Sequence, residues 1–423
     1  MWRTPLPPPS STPRAAGRFR PGSIIGPVTD LETRAAPSRA GALRRAAPAL
    51  LGYAAVRGLG LIALALWSAA RDKSAYTLLT ARWDALWYTR VAELGYGYEV
   101  RLANGDVHSN LAFFPLLPWL ERLVAAVSPL SHADGGFLVS LVASLAAAWG
   151  IFAVADHVYG RRAGVCAVLL WAVLPVGIVQ SMAYSESLFT ALAAWSLYAV
   201  LTGRWVTAGT LALLAGLTRP VGVAVVAAVW VTGIAAFARE RRAGPSAQER
   251  GDTDGPGPRT RRALGMLLAP LGTAGYVLWV GHHTGKGPLG YLDVQAGWRN
   301  GFDGGYAFAR FVAEKFTSFP SALAGAGLIA GVASVVWLYV VGVRQRQPLP
   351  LLVYTGVVTA LALCASSYFG SKPRLLMPAF PLLLPLARAL AGPRLRRSAL
   401  VLGPVAVASA VYGAFWLNGS GPP

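Results

Sequence analysis

The stretch RWDALWY, residues 82–88, sets one carboxylate, Asp84, among Trp83, Trp87 and Tyr88. A carboxylate held at a boundary between apolar and aqueous surroundings can act as a general base when it reaches the proton it must remove. Other polar residues stand out against apolar surroundings. Glu186 lies in SMAYSESLF, Arg219 in GLTRPVG, and Lys372 and Arg374 in SKPRLLMPAFP. Ionisable residues set in apolar surroundings often mark functional sites. Each residue also has a plainer use. Asp84 could cap a helix. Glu186, with Ser185, could serve the positive end of one. Arg219 could neutralise helix C-terminal carbonyls, with Pro220 opening the next helix. Lys372 and Arg374 could be snorkelling side chains at a membrane edge.

The elements that must position these residues are membrane spans. The chain has 423 residues, 55% of them hydrophobic and 13% charged, whereas soluble domains carry roughly 25% charged residues. A net charge of +20 would suit a nucleic-acid binder, but the basic residues lie in the gaps between apolar runs, as membrane topology demands. Cys166 and Cys364 sit inside apolar runs and read as small core hydrophobes. No disulfide framework or zinc spacing is present, and His282–His283 lacks a second ligand pair. Neither a metal nor a cofactor is expected.

Residues 1–43 are rich in Pro, Arg, Ser and Ala and are expected to form a disordered cytoplasmic tail; 240–262 is expected to be a flexible cytoplasmic loop. Residues 44–423 form the transmembrane domain. Apolar runs near 46–70, 134–155, 164–180, 186–202, 205–218, 220–238, 263–282, 321–342, 348–367, 374–391 and 398–417 predict about eleven spans. Phe113–Val127 is apolar but interrupted by Pro115, Pro118, Glu121 and Arg122, and reads as an interfacial or re-entrant helix.

Alternating the gaps places the tail, Arg161–Arg162, Arg204, the 239–262 segment, Arg344/Arg346 and Arg394/Arg396/Arg397 on one side. The positive-inside rule assigns that side to the cytoplasm. The opposite side receives two long loops, 71–133 and 283–320, and with them Asp84, Glu186, Arg219, Lys372 and Arg374. Trp83, Leu86, Trp87, Val91 and Leu94 recur at helical spacing, predicting a surface helix over 84–94 with its aromatics at headgroup level. Asp84 and Tyr88, four apart, share its flank.

RWDALWYTRVAELGYGYE followed by AFFPLLP resembles the first luminal loop of the PIG-V family, the GPI mannosyltransferase II proteins and their bacterial relatives. AYSESLF and LLAGLTRPVG are similar to that family's next landmarks in the same order, and RLLMPAFP resembles its late external motif. The resemblance covers roughly 46–400 apart from the 240–262 loop. It implies a GT-C-like, all-α polytopic fold whose long extracytoplasmic loops contain interfacial helices. It implies an inverting mannosyltransferase of a multi-pass bacterial plasma membrane, with a polyprenyl-phosphate-mannose donor and a lipid, glycan or protein acceptor. On that resemblance Asp84 is the catalytic base, and Arg219, assisted by Lys372 and Arg374, holds the donor phosphate. Trp83, Tyr88 and Glu186 are expected to bind substrate or order the loop. The sequence departs from the family at RLANGDVHSN, 101–110, which reads as an insertion beside the acceptor region, and in the Pro-Val-Gly after Arg219.

Two rivals stay open. One keeps the fold but moves another polyprenyl-phosphate sugar. The other is a lipid-sugar flippase or transporter, which should keep polar groups near the bilayer midplane. The spans here are nearly free of such groups, Arg57 being the exception.

Overall fold

The computed structural model describes residues 39–243, 257–392, 395–419 and 421. The proposed tail up to residue 38 and the middle of the 240–262 loop lie outside the described residues. The first helix, Arg39–Ala69, starts inside the stretch assigned to the tail, and the helices Val223–Ala243 and Pro258–Leu268 close in on the loop from both sides. Glu240 binds Arg259 at 3.1 Å and Arg262 at 2.7 Å across it.

All eleven apolar runs carry helix. Among the described residues, six helices are long and apolar enough to cross a membrane: Gly41–Ala69, His132–Tyr159, Pro220–Arg242, Pro258–His283, Ser321–Arg344 and Ala399–Leu417. The protein is a multi-pass membrane protein. The remaining runs give shorter helices, among them Ser185–Leu201, Trp205–Gly216, Leu349–Cys364 and Phe380–Leu390. Proline explains two of the shortfalls, because it removes a donor and clashes with the preceding turn. The 164–180 run leaves α-helix at Ala172, shortly before Pro175. The 374–391 run breaks into Lys372–Leu376, a 3-10 turn Phe380–Leu383 and Leu384–Leu390 around Pro378, Pro381 and Pro385.

The centre of the bundle is His132–Tyr159, packed against Arg161–Ala172 and Ser185–Leu201. Its inward residues are small, Ala143, Ala147, Ala148 and Gly150 among them, which lets backbones approach closely. Side chains add polar contacts between helices: Trp195 Nε1 donates to Ala146 O at 3.0 Å and Ser196 Oγ to Ala208 O at 2.8 Å. Arg57, the charged residue inside a span, donates to Ala172 O and Gly177 O. It satisfies carbonyls freed where the Arg161–Ala172 helix ends.

The first long loop is itself structured. It holds the helices Ala75–Thr80, Asp84–Leu94 and Leu116–Val127, with a hairpin, β1 (Glu99–Arg101) and β2 (Val107–Ser109), between the last two. The hairpin is the one strand pair among the described residues, besides an isolated bridge between Phe302 and Ala365, and its turn and second strand lie in the segment read as an insertion. The helix expected over 84–94 forms, and one flank of it is buried. Ala85, Tyr88, Val91 and Ala92 are buried, whereas Leu86 is 39% and Leu94 73% exposed. The reason is tertiary: Leu116–Val127 and His132–Tyr159 cover the helix from one side, and Arg122 locks it by donating to Ala92 O and, at 3.2 Å, to Val91 O.

Leu116–Val127 also carries Glu121, fully buried, with neither carboxyl oxygen hydrogen-bonded. Gly136 makes the room, since a Cβ there would stand 2.5 Å from Glu121 Oε1. Burial, reinforced by the nearby Glu93 carboxylate, pushes the Glu121 carboxyl well above the ordinary carboxylate range, favouring its neutral form. For an acid whose folded pKa exceeds its unfolded one, stability is fully present below the unfolded value and is lost as pH rises through the folded value. The apparent Tm of the detergent-solubilised protein should therefore fall as pH climbs above the ordinary carboxylate range, and Glu121→Gln should remove part of that fall. An unchanged pH slope in the Gln variant would show that Glu121 is not the group responsible.

Candidate active site

Four charged residues singled out from distant stretches of sequence meet in one cluster. Arg374 Nη1 lies 2.8 Å from Asp84 Oδ2, and its Nε 3.3 Å from Glu186 Oε1. Arg219 Nη1 lies 2.6 Å from the same Glu186 oxygen. The chain of charges therefore runs Asp84–Arg374–Glu186–Arg219, two carboxylates alternating with two guanidiniums. Glu186 is 1% exposed, Arg374 9%, Arg219 13% and Asp84 24%, so Asp84 is the member most open to solvent.

Each side chain is delivered by a local break in helix. Asp84 starts the helix Asp84–Leu94. Glu186 is in the first turn of Ser185–Leu201. Arg219 has extended backbone between Trp205–Gly216 and the 3-10 turn Pro220–Gly222, with Pro220 opening that turn. Arg374 stands on the short helix Lys372–Leu376. The two carboxylates lie at helix N-termini, where negative charge is favoured. The helix N-cap is Trp83 and makes no side-chain capping bond. The Asp84 carboxylate is paired with Arg374, away from a capping role.

A neutral shell completes the cluster. Arg219 Nη1 donates to Ser185 Oγ at 3.1 Å, and the Tyr88 hydroxyl is 2.7 Å from that same oxygen. The Asp84 backbone N–H donates to the Tyr184 hydroxyl at 3.4 Å, and the Arg374 guanidinium sits 5.1 Å from the Tyr184 ring centre. Ser140 Oγ holds Tyr184 from below, donating to its carbonyl at 2.9 Å. Burial works to lower the Arg374 pKa, but Asp84 and Glu186 outweigh it, so the guanidinium is held above its usual value. Burial first, with Glu186 and Asp84 adding to it, likewise raises the Tyr88 phenol, which stays protonated. Neither Glu186 oxygen has a well-aligned hydrogen bond. Its ion pairs are close contacts that leave acceptor capacity unused. Removing one partner of such a buried arrangement typically costs about 3–5 kcal/mol, because the other charge is left uncompensated.

Not every expected residue joins. Lys372 turns away: its Nζ donates to Ala362 O and Ala365 O at 2.8 Å each and to Leu363 O at 3.4 Å. Its ammonium lies 4.7 Å from the Phe308 ring centre and 5.4 Å from that of Phe369. Burial lowers its pKa, with Asp303 acting in the opposite sense. In this arrangement Lys372 closes the end of Leu349–Cys364 and anchors the second long loop. Trp83 is half-buried beneath Arg82, whose guanidinium carbon is 4.0 Å from its ring centre. Sequence reasoning overlooked Tyr184 and Ser140, and gave Ser185 no more than a helix-end role. The signal available was adjacency, since Tyr184 and Ser185 share the AYSESLF motif with Glu186.

Residues 111–244, which include Glu186 and Arg219, match the family model described as dolichyl-phosphate-mannose-protein mannosyltransferase. No curated protein matches the chain. Among solved structures the chain is similar to ArnT from Cupriavidus metallidurans bound to undecaprenyl phosphate, at 14% identity and a TM-score of 0.49, over 84% of this chain and 62% of that one. It is also similar to the archaeal oligosaccharyltransferase AglB from Archaeoglobus fulgidus in complex with an inhibitory peptide and a dolichol-phosphate, at 11% identity and a TM-score of 0.44, over 88% of this chain and 56% of that one. The matched region spans less than two thirds of the length of either structure.

The backbone that aims Asp84 is strained. Trp83 has φ 49° and ψ −122°, a conformation glycine adopts freely and other residues reach at a cost of about 1–3 kcal/mol. Trp83→Ala keeps the strain and loses the ring, whereas Trp83→Gly loses the ring and relieves the strain. The Gly variant should therefore resist denaturant-driven unfolding better than the Ala variant, reversing the usual order. An Ala variant at least as stable as the Gly variant would sink the strained-turn account.

Proposed function

We propose that the protein is an inverting GT-C-type glycosyltransferase that moves a sugar, mannose on the resemblance, from a polyprenyl-phosphate donor to an acceptor hydroxyl on the extracytoplasmic face of a bacterial plasma membrane. The acceptor is a lipid, glycan or protein. The observation that carries the reading is the ion cluster, with the more open Asp84 at one end and Arg219 at the other. Asp84 takes the acceptor hydroxyl proton. The freed oxygen attacks the anomeric carbon from the face opposite the phosphate. The carbon–oxygen bond to phosphate breaks with its electron pair on the phosphate, and Arg219 stabilises that charge as a planar donor. Arg374 orients the Asp84 carboxylate, and Glu186 holds the two guanidiniums at their spacing. Lys372 supports the site by ordering the second long loop. The mannosyltransferase description of the matching segment supports this class, and the stack of apolar helices supports a lipid-linked donor.

Membranes carrying the protein, supplied with radiolabelled polyprenyl-phosphate mannose, should form a labelled product. Asp84→Asn keeps size and capping ability but removes the base, so at equal membrane-inserted amounts the rate should drop by about 10²–10⁴-fold. Arg219→Ala should raise the donor KM more than the acceptor KM, with Arg219→Lys recovering part. A well-inserted Asp84→Asn protein with near-normal transfer would refute the catalytic assignment. Label transferred from another polyprenyl-phosphate sugar, and not from mannose, would keep the mechanism and change the donor.

The orientation has its own test. Cysteines introduced at Ser109 and Ser246 should differ towards an impermeant thiol reagent in intact cells, with position 109 labelled and position 246 protected. The opposite pattern would invert the topology.

A further inference from the structure

The hairpin that the sequence marks as an insertion bridges the two long loops. Trp298, from the second loop, donates Nε1–H to Ser109 O at 3.0 Å. His108 stacks on Trp298 with ring centres 4.0 Å apart and planes 11° from parallel. Arg299 Nε meets Asp106 Oδ2 at 2.5 Å. Gly297 permits the approach, since a Cβ there would stand 2.3 Å from Val107 O. The contacts continue inward. Trp298 presents its edge to Trp87 at 4.9 Å and to Phe113 at 5.5 Å, and Trp87 stacks on Phe113 at 5.6 Å. Tyr88 packs edge-on against Phe113 at 5.1 Å while its hydroxyl touches Ser185 in the ion cluster. The aromatic wall thus begins where the cluster ends.

We propose that this wall, formed by Trp87, Trp298 and His108, is the acceptor platform of the site and takes a neutral sugar ring. The inference rests on the reading of Asp84 as the base and names the acceptor's chemical class. Three observations carry it. Trp87, His108 and Trp298 are only half-buried, so the wall offers aromatic surface against which the C–H face of a sugar can pack, with the His108 imidazole as a polar edge for its hydroxyls. The rim is charge-balanced: Asp106 pairs with Arg299, and burial lowers the His108 pKa, favouring the neutral imidazole. A balanced rim suits an uncharged hydroxylated ring better than a phosphate or an acidic peptide. Trp87 follows Asp84 by three residues on one helix, a rise of roughly 4.5 Å, which keeps a ring on the wall close to the carboxylate.

Binding can be read without turnover. Saturation-transfer NMR on the full-length protein in micelles would use manno-, gluco- and galacto-configured trisaccharides as probes. Signal from aromatic protons to at least one trisaccharide is expected. It should be weakened in Trp298→Leu and in His108→Ala, kept in Trp298→Phe, and kept in Asp84→Asn, which removes the base and leaves the wall. In the transfer assay the Leu and Ala variants should raise the acceptor KM by about tenfold, the scale of losing one aromatic anchor, with the donor KM unchanged. Should Trp298→Leu fail to fold, His108→Ala carries the test alone. No saturation transfer to any of the three sugars, unchanged transfer in every folded variant, or an equal rise in donor KM would overturn the platform. Sugar binding that depends on the wall in a protein that transfers nothing would instead overturn the catalytic reading and leave the platform standing.

Discussion

The structure of the site depends on a buried, charge-balanced cluster in which Asp84 and Glu186 alternate with Arg374 and Arg219. Isolated, any one of these charges would be costly to bury. Together they offset one another in surroundings where coulombic attraction is far stronger than in water. The arrangement constrains four segments of the chain at once, because each must deliver one charge to the same small volume. Such a cluster is weak evidence for stability, since well-packed apolar residues often do as well. It serves geometry: it spaces two guanidiniums and holds one carboxylate at the open end.

The surrounding structure shows how that geometry is maintained. The short helix bearing Arg374 is held by Lys372, which clamps the end of Leu349–Cys364. The same region holds the second long loop, where Ser366 N donates to Gly301 O at 2.9 Å and Gly301 N to Ser366 Oγ at 3.0 Å. The Asp84 helix is held by Arg122 and by the Tyr184 hydroxyl. Lys372 and Arg122, which do not face the cluster, thus act on carbonyls at helix ends. Arg57 plays that part deeper in the bundle, at the end of Arg161–Ala172. A charged residue inside a span is here a cap, which removes the polar feature that would most favour a transport pathway.

Much of this was legible in the sequence, because hydrophobicity and proline act locally. The apolar runs announced the helices, but the spans read over 164–180 and 374–391 ran through Pro175, Pro378 and Pro381, near which the helices break, so run length overstated how far each helix extends. Asp84, Glu186, Arg219 and Arg374 could be picked out because ionisable residues are rare in such a chain, and parity of the spans put them on one side. Their company was also partly legible, since Tyr184 and Ser185 adjoin Glu186.

Tertiary structure decided what local pattern leaves degenerate. Lys372 and Arg374 are two residues apart with the same charge, yet one binds carbonyls and the other carboxylates. Composition cannot separate these outcomes, since both satisfy a cation. The buried face of Asp84–Leu94 was set by the helices that cover it, a choice that periodicity alone leaves open. The insertion at 101–110 had no meaning until it folded back as a hairpin onto Trp298, almost two hundred positions away. The sequence by itself determined a membrane-embedded helical chain and the inventory of its reactive groups, because burial and helix formation depend on near neighbours. Only the fold decided which of those groups meet, because pairing of charges and rings depends on distance in space.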